Sequence, residues 1–346
     1  MAEAIAELFR NNTLRKQLAQ SGLEVAREFT REKVLERIER AFETILYKEK
    51  LSRTKKAWDS FQTEARNNGR KKHWWDSPVI MEHCQKLVSG DPKINIYQFL
   101  KKNFVPAPFS KGLSICSGAG EFERGLIESG ICKSVDAYEI AEERVREGIA
   151  AAREKNYAID FFVEDVNSAS FKKGAYDAFF SWSALHHILN LEGVCRNVAD
   201  ALKPGGLVAA QEFIGPNQFQ WTDKQLEVMN GILTILPERL RTNPATGEVI
   251  ATLERPTIAS MNSTDPSEAI RSGDIIPVLR QFFDIKTIRY FGGSVFNFLF
   301  NEIIGNFDHT REEDTSLIRM VLLVEQLLIE HDVLDNDYAV IIAKRS

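Results

Sequence analysis

From Lys111 onward the chain alternates between two hydrophobic periods. Short runs of mostly apolar residues at Leu113–Cys116, Ser134–Ile140, Ile159–Val163, Asp177–Trp182 and Leu207–Phe213 are separated by Glu121–Ser129, Ala141–Glu154 and Leu191–Leu202, where apolar positions recur at helical offsets. A strand apolar on both faces needs cover on both, so this pattern predicts an α/β fold: a mostly parallel sheet with helices on either side. Further on, Trp221–Leu236, Ser267–Phe283 and about Thr315–Glu330 read as helices. Asp284–Tyr290 alternates like a strand and Asp337–Ala343 reads as a buried one; together they predict a closing antiparallel pair. The segments at about 217–282 and 291–332 are long enough to build lids and acceptor pockets.

The first third is helical in pattern. Ile5, Leu8, Phe9, Leu14, Leu18, Val34, Ile38, Ala41 and Ile45 fall at offsets of three and four, Gly22 breaks the run and Thr30 stands where an N-cap is wanted. Residues 48–72 are rich in lysine and arginine, the composition of a solvated linker or helix face. Pro78 opens a helix that Gly90-Asp91-Pro92 ends, and Ile94–Phe104 forms another. The adjacent Trp74 and Trp75 either cap a ligand or pack the first of these helices onto the sheet. The chain therefore divides into a helical extension (1–50), a basic linker with a helical cap (51–110) and an α/β domain (111–346).

Composition narrows the function classes. With 346 residues, 44% hydrophobic and 27% charged, the chain can bury a large core, which excludes disorder for most of its length. The net charge of −5 gives no global field for nucleic acid. Cys84, Cys116, Cys132 and Cys195 form no paired spacing, and no basic-then-apolar leader opens the sequence, so a cytoplasmic setting without a disulfide frame or metal is expected. The most apolar stretch, Phe291–Phe307, is interrupted by Asn297, Asn301, Glu302 and Asn306, too short and polar for a membrane span.

The chemistry gathers at the predicted strand ends. The first strand runs into Ser117-Gly118-Ala119-Gly120, where glycines let the backbone turn tightly and approach a ligand while the next helix aims its free amides at it. Glu123 stands where a dinucleotide-binding turn would carry its third glycine, which argues against a nicotinamide oxidoreductase. Glu139 closes the second strand, where a carboxylate can accept from both ribose hydroxyls. Asp165 and Val166 follow the third strand, Ser181 ends the fourth, and Leu202-Lys-Pro-Gly-Gly206 leads into the fifth. His186 and His187, just beyond the fourth strand, are candidates for a general base or for orienting the adjacent helix; Glu212, at the exit of the fifth, is a candidate for holding an acceptor hydroxyl or amine. Trp182, Trp221, Arg255 and Tyr290 are candidates for lining an acceptor pocket, or for packing.

This ordered set, from about Lys111 to Ser346, resembles the class I S-adenosylmethionine-dependent methyltransferases, with their Rossmann-like, mostly parallel seven-stranded sheet. The resemblance implies S-adenosylmethionine as cofactor, its methionine part against Ser117, Gly118, Ala119 and Gly120, its ribose at Glu139 beside Ile140, its adenine at Asp165 and Val166, and its sulfonium above Ser181. Where that family often carries Asp or Glu, this chain has Ser114, which implies weaker anchoring of the methionine amino group. The segment LFRNNTLRKQLAQSGLEVAREFTREKVLERIERAFETIL, within about residues 2–47, resembles the C-terminal tail of two-domain retaining bacterial glycosyltransferases; a packing or dimerising hairpin is the alternative. Together the two resemblances imply O- or N-methylation of a small molecule or glycan during surface polysaccharide synthesis, near membrane-bound glycan intermediates and a glycosyltransferase partner. The alternative is a cofactor-binding but inactive module of a glycan-assembly complex.

Overall fold

The computed structural model describes residues 11–13, 16, 17, 20, 49, 51–56, 72–243, 246–301 and 303–345. Two compact units divide the chain, Met1–Ser52 and Arg53–Ser346. Of the first, residues 12, 13, 16, 17, 20, 49, 51 and 52 are helical. The Thr30 cap, the Gly22 break and most of the tail-like segment and basic run lie outside the described residues.

In the second unit, Pro78–Ser89 (α1), Ile96–Phe104 (α2), Gly112–Ile115 (β1), Glu121–Glu128 (α3), Val135–Glu139 (β2), Glu142–Glu154 (α4), Ile159–Val163 (β3), Tyr176–Trp182 (β4), Leu191–Ala201 (α5) and Leu202–Phe213 (β5) follow one another. After them come Asp223–Ile235 (α6), Ile258–Thr264 (α7), Ile275–Phe282 (α8), Asp284–Tyr290 (β6), Phe296–Asn301 (α9), Glu312–Glu330 (α10) and Tyr338–Lys344 (β7). The strands form one seven-stranded sheet in the order β3-β2-β1-β4-β5-β7-β6. β3 to β5 are parallel, and β7 is antiparallel to both β5 and β6, as the closing pair predicts.

The apolar runs are buried on both faces because alternate residues enter different cores. Val135, Ala178, Phe180, Leu207 and Ala209 face a core that also holds residues of α1, α2, α3, α6, α9 and α10. Leu113, Ile115, Phe179, Val208 and Ala210 face the other, with Val194, Cys195 and Val198 of α5 and Ile275, Val278 and Leu279 of α8. Burial of this many aliphatic and aromatic side chains, each contributing about 1.5–3 kcal/mol, is what holds the sheet between its helices.

Local rules set the helix ends. Ser77 caps α1, with Pro78 at its first position and left-handed Gly90 (φ 87°) at its end. Thr222 and Gln225 form a reciprocal cap that starts α6 at Asp223. The helix expected over Ser267–Phe283 shortens to α8, preceded by a 3-10 turn at Ser272–Asp274. Asp265 Oδ1 accepts from both the amide (2.9 Å) and the hydroxyl (2.7 Å) of Ser267, and Ala269 is left-handed at φ 49°, so residues 265–271 are held as turns.

The phenylalanine-rich run is core. Phe291, Val295, Phe296, Leu299, Phe300, Ile303, Ile304 and Phe307 are all buried. Trp74 packs edge-on against Phe296 and Tyr338 and donates its Nε1–H to Asn297 (3.0 Å), whereas Trp75 is exposed and stacks on His73. Trp74 is thus an anchor of this core. One buried carboxylate organises the run: Glu325 of α10 accepts the amides of Gly293 (2.7 Å), Val295 (2.6 Å) and Phe296 (2.8 Å), satisfying the free N–H groups where α9 begins. Glu325→Ala leaves three buried donors unpaired and is expected to lower stability by about 2–4 kcal/mol. Urea denaturation checks this: an unshifted midpoint would show that the amides find other partners.

Candidate functional site

β1 and β2 end side by side, and their exits are stitched by one side chain. Glu139 Oε2 accepts the Gly118 amide (2.8 Å), and its Oε1 accepts the amides of Ile140 (2.7 Å) and Ala141 (2.8 Å). The carboxylate therefore fixes the glycine turn against β2 and retains capacity for a further donor, since a carboxylate offers about four lone-pair sites. Gly118 (φ 55°) and Gly120 (φ 75°) are left-handed, and a Cβ on Gly120 would stand 2.6 Å from Phe161 Cζ. Cys116, at φ 48°, adopts the same handedness without being glycine. Ser117 Oγ is buried without a partner, and Ala119 is buried. Asp165 Oδ1 accepts from the Asn167 amide and side chain, both at 3.0 Å, which shapes the turn after β3 beside buried Val166.

Ser114 corrects an expectation. It is fully buried, and its hydroxyl donates to Glu123 Oε1 (2.5 Å) rather than standing free for a methionine amino group. The position of a missing third glycine thus holds a strand-to-helix polar pair. Glu123 Oε2 is buried without a partner, and burial pushes its carboxyl up to about 7 despite the serine hydrogen bond.

β4 and β5 exit next to this turn, and Glu212 organises them. Its Oε1 accepts the Ser181 hydroxyl (2.6 Å) and the amides of Ala184 and Leu185 (both 3.0 Å). Its Oε2 lies 2.9 Å from Nδ1 of His186. Burial opposes its charge, yet His186, Ser181 and the Leu185 amide hold its carboxyl below the usual range. An ionised carboxylate only accepts, so Nδ1 of His186 carries a proton, and Nε2 faces Glu268. Burial lowers the His186 value, but Glu212, Glu268 and Asp265 outweigh it and hold the imidazole above its ordinary value; burial and the neighbouring His186 hold His187 below. Glu212 is therefore not an acceptor-binding group: it has no exposed surface, and it positions His186 and Ser181.

The histidines meet residues that spacing did not reveal. Nε2 of His186 and Nε2 of His187 lie 3.7 Å and 3.9 Å from the two oxygens of Glu268, and Nδ1 of His187 lies 3.1 Å from Ser267 Oγ. The turn at 265–271 delivers both partners, and the Ile270 amide donates to the His186 carbonyl (3.0 Å). The remaining candidates do not all converge. Trp182 stacks on Phe122 of α3 (4.4 Å). Trp221 is buried against Phe298 (4.0 Å), and Arg255 donates to its carbonyl (2.6 Å) and to Asp223 (2.5 Å), so these two build the insertion rather than face the histidines. Tyr290 is exposed at the end of β6.

Comparison with known proteins bears on this site. Residues 113–206 match the family model described as a methyltransferase domain. No curated protein sequence matches the chain. Solved structures with a similar course include an S-adenosylmethionine-dependent methyltransferase from Mesorhizobium loti (14% identity, 70% of this chain and 93% of that one, TM-score 0.41). Two others are geranyl diphosphate C-methyltransferase from Streptomyces coelicolor A3(2) (13%, 72% and 75%, 0.44) and the [4+2]-cyclase SpnF (15%, 72% and 80%, 0.43). The fold is that of a Rossmann-like class I methyltransferase, and the match covers the stretch that carries the glycine turn, Glu139 and the histidines. S-adenosylmethionine is the cofactor this domain supports. The residues fit it: an orphaned Ser117 hydroxyl, a turn of left-handed glycines where an added Cβ would run into Arg144 or Phe161, and a carboxylate with spare acceptor capacity.

Glu123 gives a pH signature. A carboxyl whose folded value is raised stays protonated in the native state while the unfolded chain ionises, so stability falls as pH rises from about 4.5 to about 7. Glu123→Gln is expected to reduce this fall by up to about 1.4 kcal/mol per pH unit. Denaturant melts of both chains at pH 5 and pH 8 check it; parallel losses would count against the buried acid.

Proposed function

We propose that the chain transfers a methyl group from S-adenosylmethionine to a small-molecule or glycan acceptor at oxygen or nitrogen. The observation that carries this reading is the Glu212 network, which sets His186 and Ser181 at the carboxyl edge of the sheet beside the Gly118–Gly120 turn. S-adenosylmethionine supplies a methyl already activated on a sulfonium, which leaves alignment and exclusion of water to the protein. Ser117, Gly118, Ala119 and Gly120 hold the methionine part, Glu139 with Ile140 the ribose, and Asp165 and Val166 the adenine. Ser181, locked by Glu212, forms the floor beneath the reacting carbon. His186 and His187, with Glu268, are the groups that make an acceptor hydroxyl or amine nucleophilic.

Ser114 alone would argue for a module that binds cofactor without turnover. Its pairing with Glu123 places a carboxyl at the same turn, which supports the active reading. The glycan acceptor, a cytoplasmic role in polysaccharide synthesis and a glycosyltransferase partner extend the resemblance of the N-terminal segment.

Calorimetry with S-adenosylhomocysteine is expected to show saturable one-to-one binding, weakened at least about tenfold, or ~1.4 kcal/mol, by Glu139→Ala. His187→Asn is expected to leave that binding nearly unchanged while lowering turnover about 10²–10⁴-fold. Absence of binding by the unmodified chain at millimolar ligand would reject the reading.

A further inference from the structure

The histidine pair carries more than a base requires. One ligand atom each from His186, His187 and Glu268 lie within 4.8 Å of one another. The Nε2 atoms of both rings face the two oxygens of a single carboxylate at 3.7 Å and 3.9 Å, too far for hydrogen bonds. Two atoms each about 2.1 Å from a shared ion at a tetrahedral angle stand about 3.4 Å apart, so the set closes around a cation once its ligand atoms, now within 4.8 Å of one another, draw together to that spacing.

The other ring nitrogens are already engaged in the way metal-bound imidazoles require. Nδ1 of His186 is tied to buried Glu212, and Nδ1 of His187 to Ser267, whose hydroxyl is itself held by Asp265 Oδ1 (2.7 Å). Such outer partners fix the ring orientation and direct Nε2 to the ion. The charge agrees: Glu212, Glu268 and Asp265 gather here, and among the described residues no lysine or arginine forms an ion pair with any of them. Arg271, close by in sequence, is instead taken by Glu192 and Asp274.

We infer that His186, His187 and Glu268 bind a first-row divalent cation, of the kind that two imidazoles and one carboxylate select, with positions left open for an oxygen of the acceptor. The cation site stands on this geometry alone; its role toward the acceptor rests on the methyl-transfer reading.

Chelator-stripped full-length chain is titrated with Mn²⁺, followed by calorimetry and by loss of the free-ion paramagnetic resonance signal, and separately with Zn²⁺. The expected result is one site per chain, with affinity lowered at least about tenfold in Glu268→Gln and in His187→Asn. Glu268→Gln preserves shape at a partly exposed position, and thermal melting together with S-adenosylhomocysteine binding confirms that each variant is folded. Failure of the unmodified chain to bind either ion, or equal affinity in the folded variants, overturns the inference. Retained S-adenosylhomocysteine binding beside absent Mn²⁺ binding sinks the cation and leaves the methyl-transfer reading standing. Mn²⁺ binding without S-adenosylhomocysteine binding does the reverse.

Discussion

One buried carboxylate determines how the carboxyl edge of this sheet is built. Glu212 has no solvent exposure, yet it takes a hydroxyl from β4, three amides from the turn that follows and an imidazole. Withdrawing a carboxylate from water costs several kcal/mol, and such a group is tolerated only when its lone pairs are filled. Here the filling comes from atoms that must otherwise be free to move: the chain leaving β4 has just passed Ser183 at φ 52° and turns sharply. The charge thus converts a strained turn into a fixed one, and the direction of the His186 ring follows from it.

Sheet register brings this edge to the cofactor turn. β1 lies between β2 and β4, the point where strand order reverses and a crevice opens at the carboxyl ends. Ile115 stands opposite Tyr138 on one side and Ser181 on the other. One step further along the same rows come the glycine turn, Glu139 and the Ser181–Ser183 exit. Glu139 and Glu212 therefore perform parallel tasks on neighbouring strand ends, each holding backbone amides of the loop next to it. The second keeps an imidazole, and the first keeps spare acceptor capacity.

The inner strands were legible because their apolar runs admit one explanation, burial on both faces, while the edge strands β3 and β6 match residue for residue although they are only partly buried. The glycine turn and Glu139 were legible because backbone geometry restricts the residue types there. Glu212 was visible as a carboxylate at a strand exit, but its burial was not, since the sequence neighbours of a strand end look the same whether the side chain points into the protein or out of it. Ser114 and Glu123 lie nine positions apart across a strand, a turn and a helix, so no single period connects them. Glu268 was hidden by a false helix. The spacing over Ser267–Phe283 suits one, but Asp265 offers its side chain to Ser267, and local side-chain bonding wins over propensity in the first turn.

That lost helical turn is what makes the site possible. Had residues 267–274 continued α8, the Ile270 amide would bond within its own helix instead of to the His186 carbonyl, and nothing would hold this segment against the histidines. As built, Ser267 and Glu268 arrive together, one against each type of ring nitrogen of His187. The arrangement accumulates negative charge around two imidazoles, of which only His186 is tied directly to a fully buried carboxylate. An isolated acidic patch in a partly buried place is unfavourable unless something positive completes it. Among the described residues Thr54 donates to Asp265 and the two imidazoles are what Glu268 faces, so the charge that offsets this patch is the one His186 carries when protonated.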